Sequence, residues 1–144
     1  MTLSSFIEPK VLDHILGKTD IGALAVVYLG LKTADPLNNN SGGTEPTIPT
    51  GGYARVATTG VSWDAATPGG AATASYTANA AALAFPVSTA AWSTGATPLT
   101  HFIIMDAASG GNMIACGALT TPRTVNAAGV TLSYAIGDLD VTLD

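Results

Sequence analysis

The residues able to do chemistry in this chain are few: His14, His101, the single Cys116, and the carboxylate pair Asp138 and Asp140. His101 and Asp106 lie five apart in an extended run, so their side chains leave opposite faces of a strand. They cannot form a general base with its orienting carboxylate. Two histidines and one cysteine fall short of a zinc ligand set. A lone cysteine excludes a disulfide, and Cys116, set among small and apolar residues, reads as packing filler rather than as a nucleophile. Asp138 and Asp140 share one face of an alternating terminal run and read as solvated charge guarding a sheet edge. No Gly cluster has the G-x-x-x-x-G-K-[ST] or G-x-G-x-x-G form that opens a helix onto phosphate. Asp35, Asn38, Asn39, Asn40 and Glu45 offer oxygen ligands, but without the ordered spacing of a calcium loop. The expectation is no enzyme, no catalytic residue, no metal and no cofactor.

Four side chains are candidates for binding rather than catalysis. Tyr53 and Arg55 fall on one face of the run Gly51–Thr58, and an Arg held there commonly grips a carboxylate with two parallel bonds, a structural role first. Trp63 and Trp92 sit in loops, at 60–70 and 88–98. Each is either a plug over the rim of a β-sandwich or an anchor at an interface.

The elements that position these residues are mostly strands. At the centre is a hairpin, Leu99–Leu119. Its first arm places Phe102, Ile103, Ile104 and Met105 in succession, apolar on both faces, as expected of a central strand covered on both sides. Ala107–Gly111 supplies the reversal. Ala23–Lys32 and Gly51–Thr58 read as strands, and Ala71–Phe85 as two short ones. Val130–Tyr134 alternates, and so does the ending, with Leu139, Val141 and Leu143 against Asp138, Asp140, Thr142 and Asp144. A slip of one residue there would bury the aspartates. Thr120–Asn126 reads as an extended linker. One helix is expected near the start, where Ile7, Val11, Leu12, Ile15 and Leu16 make a stripe at helical spacing. Ser5 with Glu8 fits a capping box and Glu8-Pro9 fits Pro in the first turn, while Gly17 is a stop. About three turns are marginal alone in water, so the helix must lie on its own sheet or on a neighbour. Residues 33–50, with three prolines, have no periodicity and read as an exposed or partner-contacting loop.

Together these make a single domain over residues 1–144: a mainly β, antiparallel β-sandwich, jelly-roll-like, of about eight strands, with the helix in 1–18 and the long loop in 33–50. Charged residues are only 10% of the chain, against about 25% in ordinary soluble domains. A surface so poor in charge suits a protein that sits against other subunits. A net charge of −5 argues against a nucleic-acid partner, which would need a basic footprint. No apolar run reaches the length of a membrane span, and no signal-peptide pattern opens the chain, so synthesis in a cytoplasm without export is expected.

Several short words carry a resemblance: Val27–Leu31 (VYLGL), Gly51–Val56 (GGYARV), Thr100–Phe102 (THF), Asp106–Asn112 (DAASGGN), Gly117–Thr121 (GALTT) and the ending Gly137–Asp144 (GDLDVTLD). With Leu12-Asp13-His14 near the start, they resemble a family of small tailed-bacteriophage structural proteins often labelled tail-fibre proteins; similar β-sandwich proteins decorate capsids. The chain departs from the commoner pattern at Ile103, where Gly is usual, and in the Asn/Pro-rich stretch Leu37–Thr50. The resemblance implies a non-enzymatic building block of the virion, with other capsid or tail subunits as partners; self-association into a homo-oligomer, a trimer or dimer, is also expected. A capsid decoration or cement role is favoured over a tail-fibre component, because a compact chain without repeats builds no long shaft. A receptor- or carbohydrate-binding module, stacking sugars on Trp63 and Trp92, is the second reading.

Overall fold

The computed structural model describes residues 2–69 and 74–143; Ala71–Thr73, at the head of the Ala71–Phe85 stretch, and the closing Asp144 lie outside them. The elements run β1 (Thr2–Leu3), α1 (Glu8–Ile15), β2 (Val27–Lys32), β3 (Val56–Thr58), β4 (Ser75–Ala78), β5 (Leu83–Ala84), β6 (Leu99–Met105), β7 (Met113–Arg123), β8 (Ser133–Tyr134) and β9 (Asp140–Leu143). The fold is mainly β and antiparallel, sandwich-like, as its patterning predicts.

The hairpin β6–β7 does form the centre. One sheet has the order β1-β7-β6-β2-β3, with β6 paired along its length to β2 (Gly30 opposite Ile103) and to β7 (Ile103 opposite Cys116). Two further ladders, β4–β9 and β5–β8, stand apart from it. The turn of the hairpin is held by Asp106, whose carboxylate accepts from the backbone N–H of Asn112 (2.7 Å) and from its side-chain amide (2.8 Å).

Both faces of β6 are dry. Phe102 and Ile104 join Leu29, Leu31 and Ala115 in the main core, which is closed from the other side by Phe85, Trp92, Val125, Leu132, Tyr134 and Leu139. Ile103 and Met105, 0% and 1% exposed, pack on the opposite face with Met113, Cys116 and Tyr28. The cover for that second face comes from the long loop and the N-terminus. The Ser5 N–H donates to Asn38 O (2.9 Å), the Ser4 hydroxyl donates to Met113 O, and the Cys116 thiol lies 3.9 Å from Leu37 O. Residues 33–50 are thus a lid over the sheet rather than a free excursion.

Several boundaries differ from expectation. The strand read over Ala23–Lys32 begins only at Val27, and the one read over Val130–Tyr134 is reduced to Ser133–Tyr134. The strand read over Gly51–Thr58 begins only at Val56, because Thr50–Gly52 winds into a 3₁₀ turn in which Gly51 takes φ of +64°. The stretch Thr120–Arg123, read as linker, continues β7, since Arg123 pairs with Leu99 past a bulge. The helix starts without a capping box: Ile7 is the N-cap and makes no side-chain cap, and Pro9 lies in the first turn.

The two small ladders are spliced by one side chain. Asn79 is fully buried; its amide donates to Ala81 O (2.8 Å) and Ala135 O (2.7 Å), and its carbonyl oxygen accepts from Leu139 N–H (2.9 Å). Its replacement leaves the buried Leu139 N–H without its acceptor and removes the bonds to the Ala81 and Ala135 carbonyls. We expect Asn79→Ala to cost about 1–3 kcal/mol, read as a lowered urea midpoint, the cost of one unsatisfied buried polar group.

Candidate functional site

Three of the four binding candidates, Tyr53, Arg55 and Trp92, assemble around one buried ion pair and one aromatic cluster. Arg55 immediately precedes β3 and grips Glu45, in the long loop, with two parallel bonds: Nε to Oε1 at 2.8 Å and Nη2 to Oε2 at 2.7 Å. The side chains are 4% and 17% exposed. The remaining guanidinium nitrogen, Nη1, donates to the carbonyls of Ala107 (2.6 Å) and Gly110 (2.8 Å) in the turn of the central hairpin. Burial is the largest single influence on Arg55 and lowers its pKa, but the hydrogen bonds to Glu45 together with the charges of Glu45, Tyr53 and Asp106 outweigh it, and the net shift is upward.

Tyr53 completes the arrangement. Its hydroxyl accepts from Leu31 N–H (2.9 Å) and donates to Glu45 Oε1 (3.1 Å). The pairing of β3 with β2 stops at Val56 opposite Leu29, so the phenol caps the N–H of β2 that the shortened strand leaves bare. Burial, and then the adjacent Glu45 charge, push the Tyr53 phenol far above its ordinary range. Room for the carboxylate comes from Gly30: a Cβ there would stand 2.8 Å from Glu45 Oε1 and 3.0 Å from the Ile103 side chain. Beyond it, Lys32 donates its ammonium to the carbonyls of Asn40 (3.1 Å) and Gly42 (2.8 Å), with its pKa lowered by burial.

Trp92 stands edge-on to Tyr53, with ring centroids 5.3 Å apart, and Phe85 is stacked on Tyr53 at 6.0 Å. The Trp92 indole N–H donates to Gly51 O (2.7 Å), and the ring is 8% exposed. Trp63 is half-buried against the main core and donates to the Thr58 hydroxyl (3.2 Å). Tyr53, Arg55 and Trp92 therefore meet in one interior cluster, while Trp63 lies apart on the rim. His101 is half-buried, with Nδ1 2.8 Å from the Thr100 hydroxyl. Among the described residues no group of three or more His, Cys, Asp or Glu side chains could hold a metal ion.

Two residues central to this arrangement escaped the sequence reading in these roles: Glu45, read only as one oxygen among several, and Gly30. The available signal for Glu45 was scarcity. In a chain with so few charges, a glutamate in a loop whose one other charge is Asp35 and an arginine ten residues on are natural partners.

The molecule's unsatisfied apolar surface lies elsewhere, on α1. None of its residues is buried, and Leu12, Ile15 and the following Leu16 are 59%, 70% and 68% exposed. Phe6, under the Lys10 ammonium at 4.9 Å, and Leu24 extend the exposed apolar surface along the same N-terminal segment. The body holds the segment at its root, where β1 pairs with β7 and Ile7 is buried.

Residues 2–142 match the family model Gp80, described as podophage GP4 fiber I protein gp80. The match spans nearly the whole chain and makes this a structural protein of the phage virion. No curated protein matches the sequence.

Removing one partner of the ion pair leaves the other buried and unpaired. We expect Glu45→Gln to destabilise the fold by about 3–5 kcal/mol in urea titration, the cost of breaking a buried pair. The buried phenols set the alkaline limit. Burial holds Tyr53 and Tyr134 protonated in the folded chain, whereas the unfolded chain ionises near the ordinary tyrosine value of about 10. Their contribution is whole below that value and is lost as pH rises above it. Phenolate absorbance from these two residues should therefore appear only with unfolding, and Tyr134→Phe should move the alkaline unfolding midpoint upward.

Proposed function

The chain belongs to the podophage GP4 fiber I protein gp80 family, and on that premise we propose that it is a non-enzymatic subunit of the phage fibre, joined to a neighbouring virion protein through its N-terminal segment. The observation that carries this is the exposure of Leu12, Ile15 and Leu16 on a helix that buries none of its own residues. A helix of eight residues is too short to hold itself in water, so its stripe needs a partner surface. The sheet of its own chain does not provide one, and the fitting occupant is an apolar cleft on an adjacent subunit. In this reading Tyr53, Arg55 and Trp92 hold the body rigid while it is displayed, and Trp63 is the candidate left with ring surface for a partner.

A second location has one observation in its favour. The chain has no internal repeat to build a shaft, which suits a decoration protein bound to the head shell. The protein–protein attachment and the absence of chemistry are common to both.

The triple variant Leu12→Ser, Ile15→Ser, Leu16→Ser tests the attachment. Its stability should stay within about 0.5 kcal/mol of the parent, as surface changes do, while the protein disappears from purified particles. Incorporation at the parental level would overturn the proposal. Density for the parent in intact particles by electron cryomicroscopy then separates the locations: at the tail for a fibre, over the shell for a decoration protein.

A further inference from the structure

One feature without a structural explanation is a groove at β7. Thr120, Thr121, Arg123, Tyr134, Asp138 and Asp140 line a cavity of about 250 Å³. Consecutive residues of β7 line it, so the groove runs along the edge of the strand and not over one face. Among the described residues Leu119–Arg123 is paired only on its β6 side, since β1 reaches no further than Cys116.

The second observation is the Tyr134 hydroxyl. The residue is 3% exposed, and its hydroxyl has no hydrogen-bond partner among the described residues. Tyr134 lines the cavity together with Arg123 and Asp138. A single water would satisfy that hydroxyl alone. The groups around it call for more: Arg123 makes no ion pair among the described residues, the threonines bring two hydroxyls, and Asp138 has one oxygen free of the bond that its Oδ2 accepts from Ala135 N–H (2.8 Å).

These partners select the ligand. Arg123 opposes a cation and the two aspartates oppose an anion. The walls offer donors and acceptors side by side, the complement of a neutral molecule bearing adjacent hydroxyl groups. The volume falls just below the range of about 300–1,000 Å³ that takes drug-sized ligands. An added β-strand is disfavoured by Pro122, which withholds an N–H from this edge. We propose that this groove binds one neutral monosaccharide unit, with Asp138 and Asp140 accepting from vicinal hydroxyls and Arg123, Thr121 and Tyr134 meeting the ring and hydroxyl oxygens. The site is distinct from Trp63 and Trp92, and it stands whether or not the chain occupies a fibre. Each open groove of this kind binds weakly, and display in many copies would raise the avidity without any new contact.

The test is a titration of the isotope-labelled full chain with glucose, galactose, rhamnose and N-acetylglucosamine, followed by amide chemical shifts, with inorganic phosphate as the charged control. One or more of the sugars should shift Thr120, Thr121, Gly137 and Asp138 saturably, and phosphate should not. Tyr134→Phe and Asp140→Ala should each weaken binding about five- to tenfold, the loss of one hydrogen bond. Tyr134→Phe keeps the ring that packs on Phe85, and neither the Tyr134 hydroxyl nor the Asp140 carboxylate makes a hydrogen bond among the described residues, so the amide spectrum should otherwise be preserved. No saturable shift with any of the four sugars, or undiminished binding by both variants, overturns the proposal. So does a concentration-dependent dimer that protects the Leu119–Arg123 amides, which would assign the edge to strand addition.

Discussion

The Glu45–Arg55 pair is the constraint on which the rest of the structure depends. It joins three segments that have no regular structure to hold them: the long loop, the run leading into β3, and the turn of the central hairpin. Burying two charges is expensive, and the attraction between them offsets that cost only when the remaining donors and acceptors are also used. Here they are. Arg55 gives its other nitrogen to two hairpin carbonyls, and Glu45 receives Tyr53 as well as Arg55. Through Tyr53 the network reaches the backbone of β2, so the loop is fastened to the sheet it covers.

This arrangement also explains how a chain with only 10% charged residues fixes its register. The main core is held by shape and by aromatic contacts, which are tolerant of small slips. Polar groups are not tolerant, because a misplaced partner leaves a buried atom bare. Asn79 performs this service between the two small ladders, Ser88 and Ser93 for the crossing segments near Val125 and Val130, and Glu45 with Arg55 for the lid. The charges that are buried are thus concentrated where loops must be pinned.

Much of the sheet was legible from side-chain order. Phe102–Met105, apolar without interruption, requires two covered faces, and the alternation around Leu139 and Val141 leaves Asp138 and Asp140 outward. The bidentate grip of Arg55 was legible as a type of interaction, but its partner was not, because loop closure over ten residues leaves no periodic trace. The start of β3 was misplaced for a local reason: Gly51 and Gly52 both take positive φ, which a strand does not use and which glycine adopts without penalty. The extension of β7 to Arg123 was hidden by Pro122, a residue that argues against a strand unless the strand lies at an edge. The spacing of Leu12, Ile15 and Leu16 identified a helix, yet an apolar stripe reads the same whether its cover is the chain's own sheet or another protein.

Tyr53 and Tyr134 show how scaffold and site can be told apart in a molecule without catalytic groups. Both rings are buried in the same aromatic cluster through Phe85, and burial raises the pKa of both phenols. Tyr53 has its hydroxyl saturated, taking the Leu31 N–H and giving to Glu45. Tyr134 has the same desolvation and none of the compensation. A phenylalanine would serve the core equally well at that position, at no polar cost. The hydroxyl is therefore unexplained by folding, and the groove with Arg123 and the two aspartates is the one place where it acquires a purpose.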